Sequence, residues 1–149
     1  MTHNYSPIPF LIAEDDPDDR QLIKDAFEEA NILNKLYFVS DGEELLAFLR
    51  QEGEFSDPHL APRPGLILLD LNMPKIDGRE ALRLIKTDDN FKSIPLVVIT
   101  TSRADSDIQN SYASGANSFI TKPHSFKSLV EMVKMLNKYW LQVVELPLS

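Results

Sequence analysis

The feature that most constrains this chain is Leu66–Leu69 (LILL), an apolar run that contains no polar residue and stops on a carboxylate, Asp70. A strand with one wet face alternates apolar and polar residues; a strand covered on both faces does not. The run therefore demands packing layers above and below it. A charged group at the end of such a strand is costly to desolvate unless something pairs it, so the rest of the chain has to supply Asp70 with a partner.

The pattern recurs. Residues 9–13 (PFLIA) run into Glu14, Asp15 and Asp16, and further apolar runs fall at residues 35–39 (KLYFV), 95–100 (PLVVIT) and 118–121 (SFIT). Between them, apolar residues sit at helical spacing: Leu22, Ile23, Ala26, Phe27 and Ala30, then Leu45, Leu46, Phe48 and Leu49, then Ala81, Leu82, Leu84 and Ile85. Asp16 before Pro17, with Asp19 in the capping-box place, predicts the first helix start; Ser40 with Glu43 predicts the second, and Asp77 the third. A helix over residues 105–114 stops at Gly115, and a long last helix spans residues 125–144. Residues 51–64, rich in proline and polar side chains, read as a loop that is long for such a connection.

Strands alternating with helices predict a doubly wound α/β domain with a five-stranded parallel sheet. Ligands in this architecture bind outside the carboxyl ends of the strands. Glu14, Asp15, Asp70, Thr100 and Lys122 all fall at strand ends and so at one edge.

A length of 149 residues suits one domain, with a core over about residues 9–138 and a helical extension and tail over about 139–149. The formal charge of −8 argues against a general nucleic-acid surface, which needs clustered Lys and Arg. With no cysteine there is no disulfide framework, thiolate metal site or cysteine nucleophile. The start MTHNYSPIPF lacks the features of a signal peptide, and no apolar run approaches the ~20 residues that span a bilayer. A cytoplasmic protein without a membrane partner is expected.

Carboxylates brought together by two strand ends repel one another unless a cation joins them. Oxygen ligands at this density suit a hard divalent ion such as Mg²⁺, which takes one or two carboxylates and bridges to phosphate. Either Asp15 or Asp16 could serve beside Glu14 and Asp70; Asp16 is better used as the helix cap. Thr100 adds a hydroxyl donor and Lys122 a fixed positive charge, so the chemistry indicated is phosphoryl transfer with Asp70 as nucleophile.

The acid pair Glu14 and Asp15, the segment LLDLNMPKIDG around Asp70, the strand ending in Ile99 and Thr100, and the step from Lys122 to Pro123 together resemble a receiver domain of a two-component response regulator. The resemblance implies a flavodoxin-like (βα)5 fold with strand order 2-1-3-4-5. It implies Mg²⁺ held by Asp15, Asp70 and the backbone carbonyl of Asn72, with Glu14 acting through water. It implies transfer from the phosphohistidine of a sensor histidine kinase to Asp70, with Thr100 and Lys122 on the phosphoryl oxygens, Phe119 as an aromatic switch, and a cis bond before Pro123. Asn72 and Ser102 would flank the approach of hydrolysing water. Asn72 also stands where a D-x-D phosphohydrolase needs its general acid, and a pseudo-receiver would lack the acceptor or the lysine; neither rival fits.

With the chain ending at residue 149, a stand-alone receiver that signals through protein contacts is expected. In the last helix Phe126, Leu129, Val133, Leu136 and Trp140 give a core-facing stripe, and Met132, Met135, Tyr139 and Val143 a second one. The second stripe predicts a homodimer interface. The long loop, this tail and the segment VVITTSRADSDIQNSYASGANSFITKP are similar to the response regulators paired with cyanobacterial phytochromes, which implies a light-sensing kinase as partner.

Overall fold

The computed structural model describes residues 8–147. Five strands, β1 (Phe10–Ala13), β2 (Leu36–Val39), β3 (Leu66–Leu69), β4 (Leu96–Thr100) and β5 (Ser118–Thr121), form one sheet in the order 2-1-3-4-5, all pairs parallel. This is the flavodoxin-like arrangement. Five α-helices connect and follow the strands: α1 (Pro17–Glu29), α2 (Gly42–Arg50), α3 (Gly78–Thr87), α4 (Asp105–Ala113) and α5 (Phe126–Leu136).

The uniform apolar character of β3 has a direct cause. Leu66 and Leu68 pack with Phe10, Ile12 and Ile99 under Ile23 and Phe27 of α1 and Leu129 and Val133 of α5. Ile67 and Leu69 pack on the opposite face with Leu11, Ala13 and Val98 under Leu45 and Leu49 of α2 and Leu82 and Ile85 of α3. Each face has its own core, so successive residues are both buried. Full burial of one such leucine is worth about 1.5–3 kcal/mol. At the outer edge α4 lies along β5, where the Tyr112 hydroxyl accepts from Phe119 N at 3.1 Å.

Several local expectations are corrected. α2 is capped by Asp41, whose side chain accepts from Glu44 N, and not by Ser40; Glu44, rather than Glu43, reaches back to Ser40 N. Two adjacent residues could cap this helix, and the one whose carboxylate reaches the amide three positions on takes the role. Leu22 is 44% exposed, off the buried face of α1. The expected loop over residues 51–64 contains a 3-10 turn, Gly53–Phe55, and is pinned by Phe55 on Phe48, by Gln51 to the Ala61 carbonyl and by Arg63 to the Asn90 carbonyl.

The last helix departs further. It is α-helical only to Leu136 and continues as a π-helical segment, Asn137–Val143. Met132 belongs to the core, packed among Val130, Val133 and Leu136, whereas Phe126 is 41% exposed. The second stripe therefore reduces to Met135 and Tyr139, 70% and 53% exposed; the side chain of Val143 lies outside what is described, as do residues 1–7 and 148–149. Every described peptide bond is trans, the one before Pro123 included. The ordinary trans preference of an X–Pro bond, about 0.5–1 kcal/mol, holds there, and the expected cis bond is absent.

Candidate functional site

The strand ends carry their polar residues to one edge because the ladder continues one residue past each strand. Asp70 N donates to the Ala13 carbonyl at 3.1 Å, Glu14 N to the Val39 carbonyl at 3.0 Å, and Lys122 N to the Thr100 carbonyl at 2.8 Å. The acids and the lysine thus stand on rigid backbone. Gly78 sits against this corner: a Cβ there would lie 2.3 Å from the Asp70 carbonyl oxygen and 2.6 Å from Leu71 Cα. Only glycine lets α3 start so close to the acceptor segment.

Lys122 is the partner that Asp70 requires. Its Nζ lies 2.9 Å from Asp70 Oδ2 and also bonds Glu14 Oε1. Asp70 and Glu14 are both buried, at 5% and 2% exposure. The other Asp70 oxygen accepts from Asn72 N at 3.0 Å. Asp19, expected in the capping-box place of α1, instead turns its carboxylate to Lys122 at 3.0 Å. That link spans 103 positions of sequence, so no local spacing signals it. Asp16 makes the cap, accepting from Asp18 N and Asp19 N. Asp15, half of the open choice at the acid run, stands exposed beside Glu14 and Asp70, and oxygens of these three residues lie within 4.8 Å of one another.

Burial pushes the Glu14 carboxyl up to about 7, against the opposing pull of Lys122 and of its bond from Asp16 N. Burial also draws on Lys122, but its bonds to Glu14, Asp70 and Asp19 outweigh that and hold its ammonium above the usual lysine range. The two directions agree physically. Glu14 is the more deeply buried of the pair, while Lys122 has three acids to offset its own burial. Lys122 neutralises part of the cluster, and the exposed Asp15 carboxylate, which it does not pair, leaves negative charge open to a further cation. Three carboxylates with an all-oxygen donor set fit a hard divalent cation.

Thr100 is fully buried at the end of β4, and its Oγ1 accepts from Asn72 Nδ2 and Ser102 N, each at 3.4 Å. Phe119 is half-buried against the core cluster on the α2 and α3 side of the sheet. His124, beside Pro123, meets Arg103 at 2.8 Å through Nε2. One group carries no local sequence signal: Arg79 on α3, which bonds both oxygens of Asp107 on α4.

Residues 10–134 match the family of the response regulator receiver domain. The chain is 41% identical over 141 residues to response regulator Rcp1 of Synechocystis sp., covering 95% of this chain and 94% of that one. The solved structure of the phosphorylated cyanobacterial phytochrome response regulator RcpA is similar with a TM-score of 0.88 at 42% identity, covering 95% of this chain and 99% of that chain. The Mn(2+)-bound form of Rcp1 is similar with a TM-score of 0.84 at 41% identity over the same shares. No helix among the described residues is long and apolar enough to cross a membrane.

Proposed function

This chain belongs to the response regulator receiver family, and from that premise we propose that Asp70 accepts a phosphoryl group from the phosphohistidine of a phytochrome-type sensor histidine kinase. The observation that carries the proposal is the convergence of Lys122, Glu14 and Asp15 on Asp70 at the carboxyl edge of the sheet. In the transfer an Asp70 oxygen attacks phosphorus in line, the P–O bond forms as the P–N bond to the imidazole breaks, and the imidazole leaves. Lys122 presents a fixed positive charge to the phosphoryl oxygens, and Thr100 its hydroxyl. Such chemistry needs positioning and charge neutralisation more than covalent participation.

Asp15, Asp70 and the Asn72 carbonyl would hold Mg²⁺, with Glu14 acting through water. When bound, the ion neutralises charge on the phosphoryl oxygens. The Mn(2+)-bound form of the relative Rcp1 supports a divalent site of this kind. Phe119, half-buried beside β4, is the aromatic switch that follows Thr100.

The chain is a signalling receiver, and its output is a protein contact made in the cytoplasm, without nucleic acid. A single-domain organisation is supported by the match to Rcp1 over 94% of that relative's length. Met135 and Tyr139, exposed beside a groove lined also by Ile120, Met132, Leu136 and Trp140, support a homodimer through this face. Kinase partnership with a light sensor is supported by the likeness to phytochrome response regulators.

The test is intact mass after incubation with a small-molecule phosphodonor and Mg²⁺. One added phosphoryl group is expected on the native chain and none on Asp70→Asn or without the metal. A folded native chain that gains nothing, or an Asp70→Asn chain that gains as much, refutes the assignment.

A further inference from the structure

Arg79 closes a ring of hydrogen bonds around the hydroxyl at the end of β4. Its Nε and Nη2 donate to the two carboxylate oxygens of Asp107 at 2.6 and 2.7 Å. Asp107 Oδ2 accepts from Ser102 Oγ at 2.6 Å. Ser102 N donates to Thr100 Oγ1 at 3.4 Å, as does Asn72 Nδ2. Asn72 Oδ1 then accepts from Arg79 Nη2 at 3.4 Å, returning to the start.

The ring joins α3, the segment after β3, the end of β4 and the first turn of α4. Its strongest link is the forked pair between Arg79 and Asp107, which is bidentate and charge-assisted. Asp107 is 14% exposed and Arg79 43%, so the pair owes its strength to its forked geometry and to the further bond from Ser102 rather than to burial. The bond from Arg79, and after it that from Ser102, holds the Asp107 carboxyl down at about 2.

The consequence falls on Thr100. A hydroxyl has two acceptor lone pairs and one donor hydrogen. Here both acceptor positions are taken by donors that the ring fixes, so the hydrogen remains for an acceptor outside the ring. A phosphoryl oxygen on Asp70 is such an acceptor.

We propose that Arg79 is a positioning residue of the phosphoryl site: through Asn72, Asp107 and Ser102 it keeps the Thr100 hydroxyl oriented as a donor to the phosphoryl group and so lengthens the life of the aspartyl phosphate. This rests on the reading of Asp70 as the acceptor. Decay is attack of water on phosphorus, with cleavage of the P–O bond, release of inorganic phosphate and return of the Asp70 carboxylate.

The experiment loads the full chain with a small-molecule phosphodonor and Mg²⁺, removes the donor, and follows loss of the adduct by intact mass. Arg79→Ala and Asp107→Asn should accept one phosphoryl group as the native chain does, then lose it about fivefold faster, a change equivalent to ~1 kcal/mol. Arg79→Lys should not restore the native rate, because an ammonium cannot fork to both Asp107 oxygens and reach Asn72. In a Thr100→Val background, Arg79→Ala should change the rate no further, since its effect runs through that hydroxyl. Normal loading with unchanged or slower decay in both Arg79→Ala and Asp107→Asn overturns the proposal and leaves the acceptor reading standing. So does an acceleration that persists in Thr100→Val, which marks a purely structural effect. Absence of any adduct on the native chain overturns both.

Discussion

Replacing Lys122 by methionine removes the cation from a buried cluster while keeping the volume of its stem. Glu14 and Asp70, at 2% and 5% exposure, then face each other without compensation. Breaking a buried pair by deleting one partner typically costs 3–5 kcal/mol. Lys122 is itself 14% exposed and the cluster stands at the sheet edge, so the lower end, about 3 kcal/mol, applies. Asp19, 38% exposed, adds little to the loss. For a chain of this length that corresponds to a melting temperature lower by roughly 6–12 °C.

Two further effects separate this account from a simple packing defect. The vacated carboxylates form a stronger cation site, so Mg²⁺ should stabilise Lys122→Met more than the native chain; a ligand at a hundred times its Kd contributes about 2.7 kcal/mol. In chelator, the deficit should shrink as pH falls. Glu14 has a folded pKa raised to about 7 by burial, above its unfolded value, so the stability of its protonated form is present at low pH and lost as pH rises through 7. Without Lys122 the carboxyl titrates higher still. Thermal unfolding of both chains, with and without Mg²⁺ and between pH 5 and 8, gives all three numbers. A Lys122→Met chain as stable as the native one in chelator, or one whose deficit ignores both Mg²⁺ and pH, refutes the reasoning.

Gly78→Ala should lose about 1–3 kcal/mol in urea unfolding and weaken divalent-ion binding, since its methyl would overlap the backbone of Asp70 and Leu71; an unchanged midpoint contradicts the close approach. Asp107 sits below its unfolded pKa, so its contribution is present above about pH 4 and lost as pH falls toward 2; Asp107→Asn should flatten the stability curve in that window. Met135→Glu should give a monomer in sedimentation where the native chain is a dimer at micromolar concentration, and a native chain that is itself monomeric removes the dimer proposal.

The parts legible in the sequence were those governed by local or strongly periodic constraints. Leu66–Leu69 could only be a strand covered on both sides, and the two separate cores above and below it are what that pattern demanded. Strand ends fell within one residue because apolar runs stop sharply at acids and at the hydroxyl residues Ser40, Thr100 and Thr121. The Asp16 cap was legible because proline follows it. What escaped was either non-local or a matter of helix phase. The turning of Asp19 to Lys122 and the fork from Arg79 to Asp107 depend on elements meeting in space, which no spacing rule encodes. Met132 was misplaced because it lies between the two stripes, and burial of Val130 beside Leu129 widened the core face to include it. Past Leu136 the wider π-helical turn shifts the phase, so a period of 3.6 no longer says which residues face the sheet.

The place of β1 in the sheet bears on how the chain is made. Phe10 pairs with Leu36 on one side and with Leu66 on the other. During synthesis, which proceeds at about 5–20 residues per second, the first of these five strands to emerge is one of the three flanked on both sides in the finished sheet. It cannot complete its second ladder until Leu66–Leu69 has left the ribosome, so FLIA waits for seconds with one hydrogen-bonding edge open. The βαβ unit of β1, α1 and β2 can close earlier and cover one edge, and the acids that follow β1 keep the nascent segment charged. The same Glu14, Asp15 and Asp16 that later surround the acceptor thereby serve first as gatekeepers against association between unfinished chains.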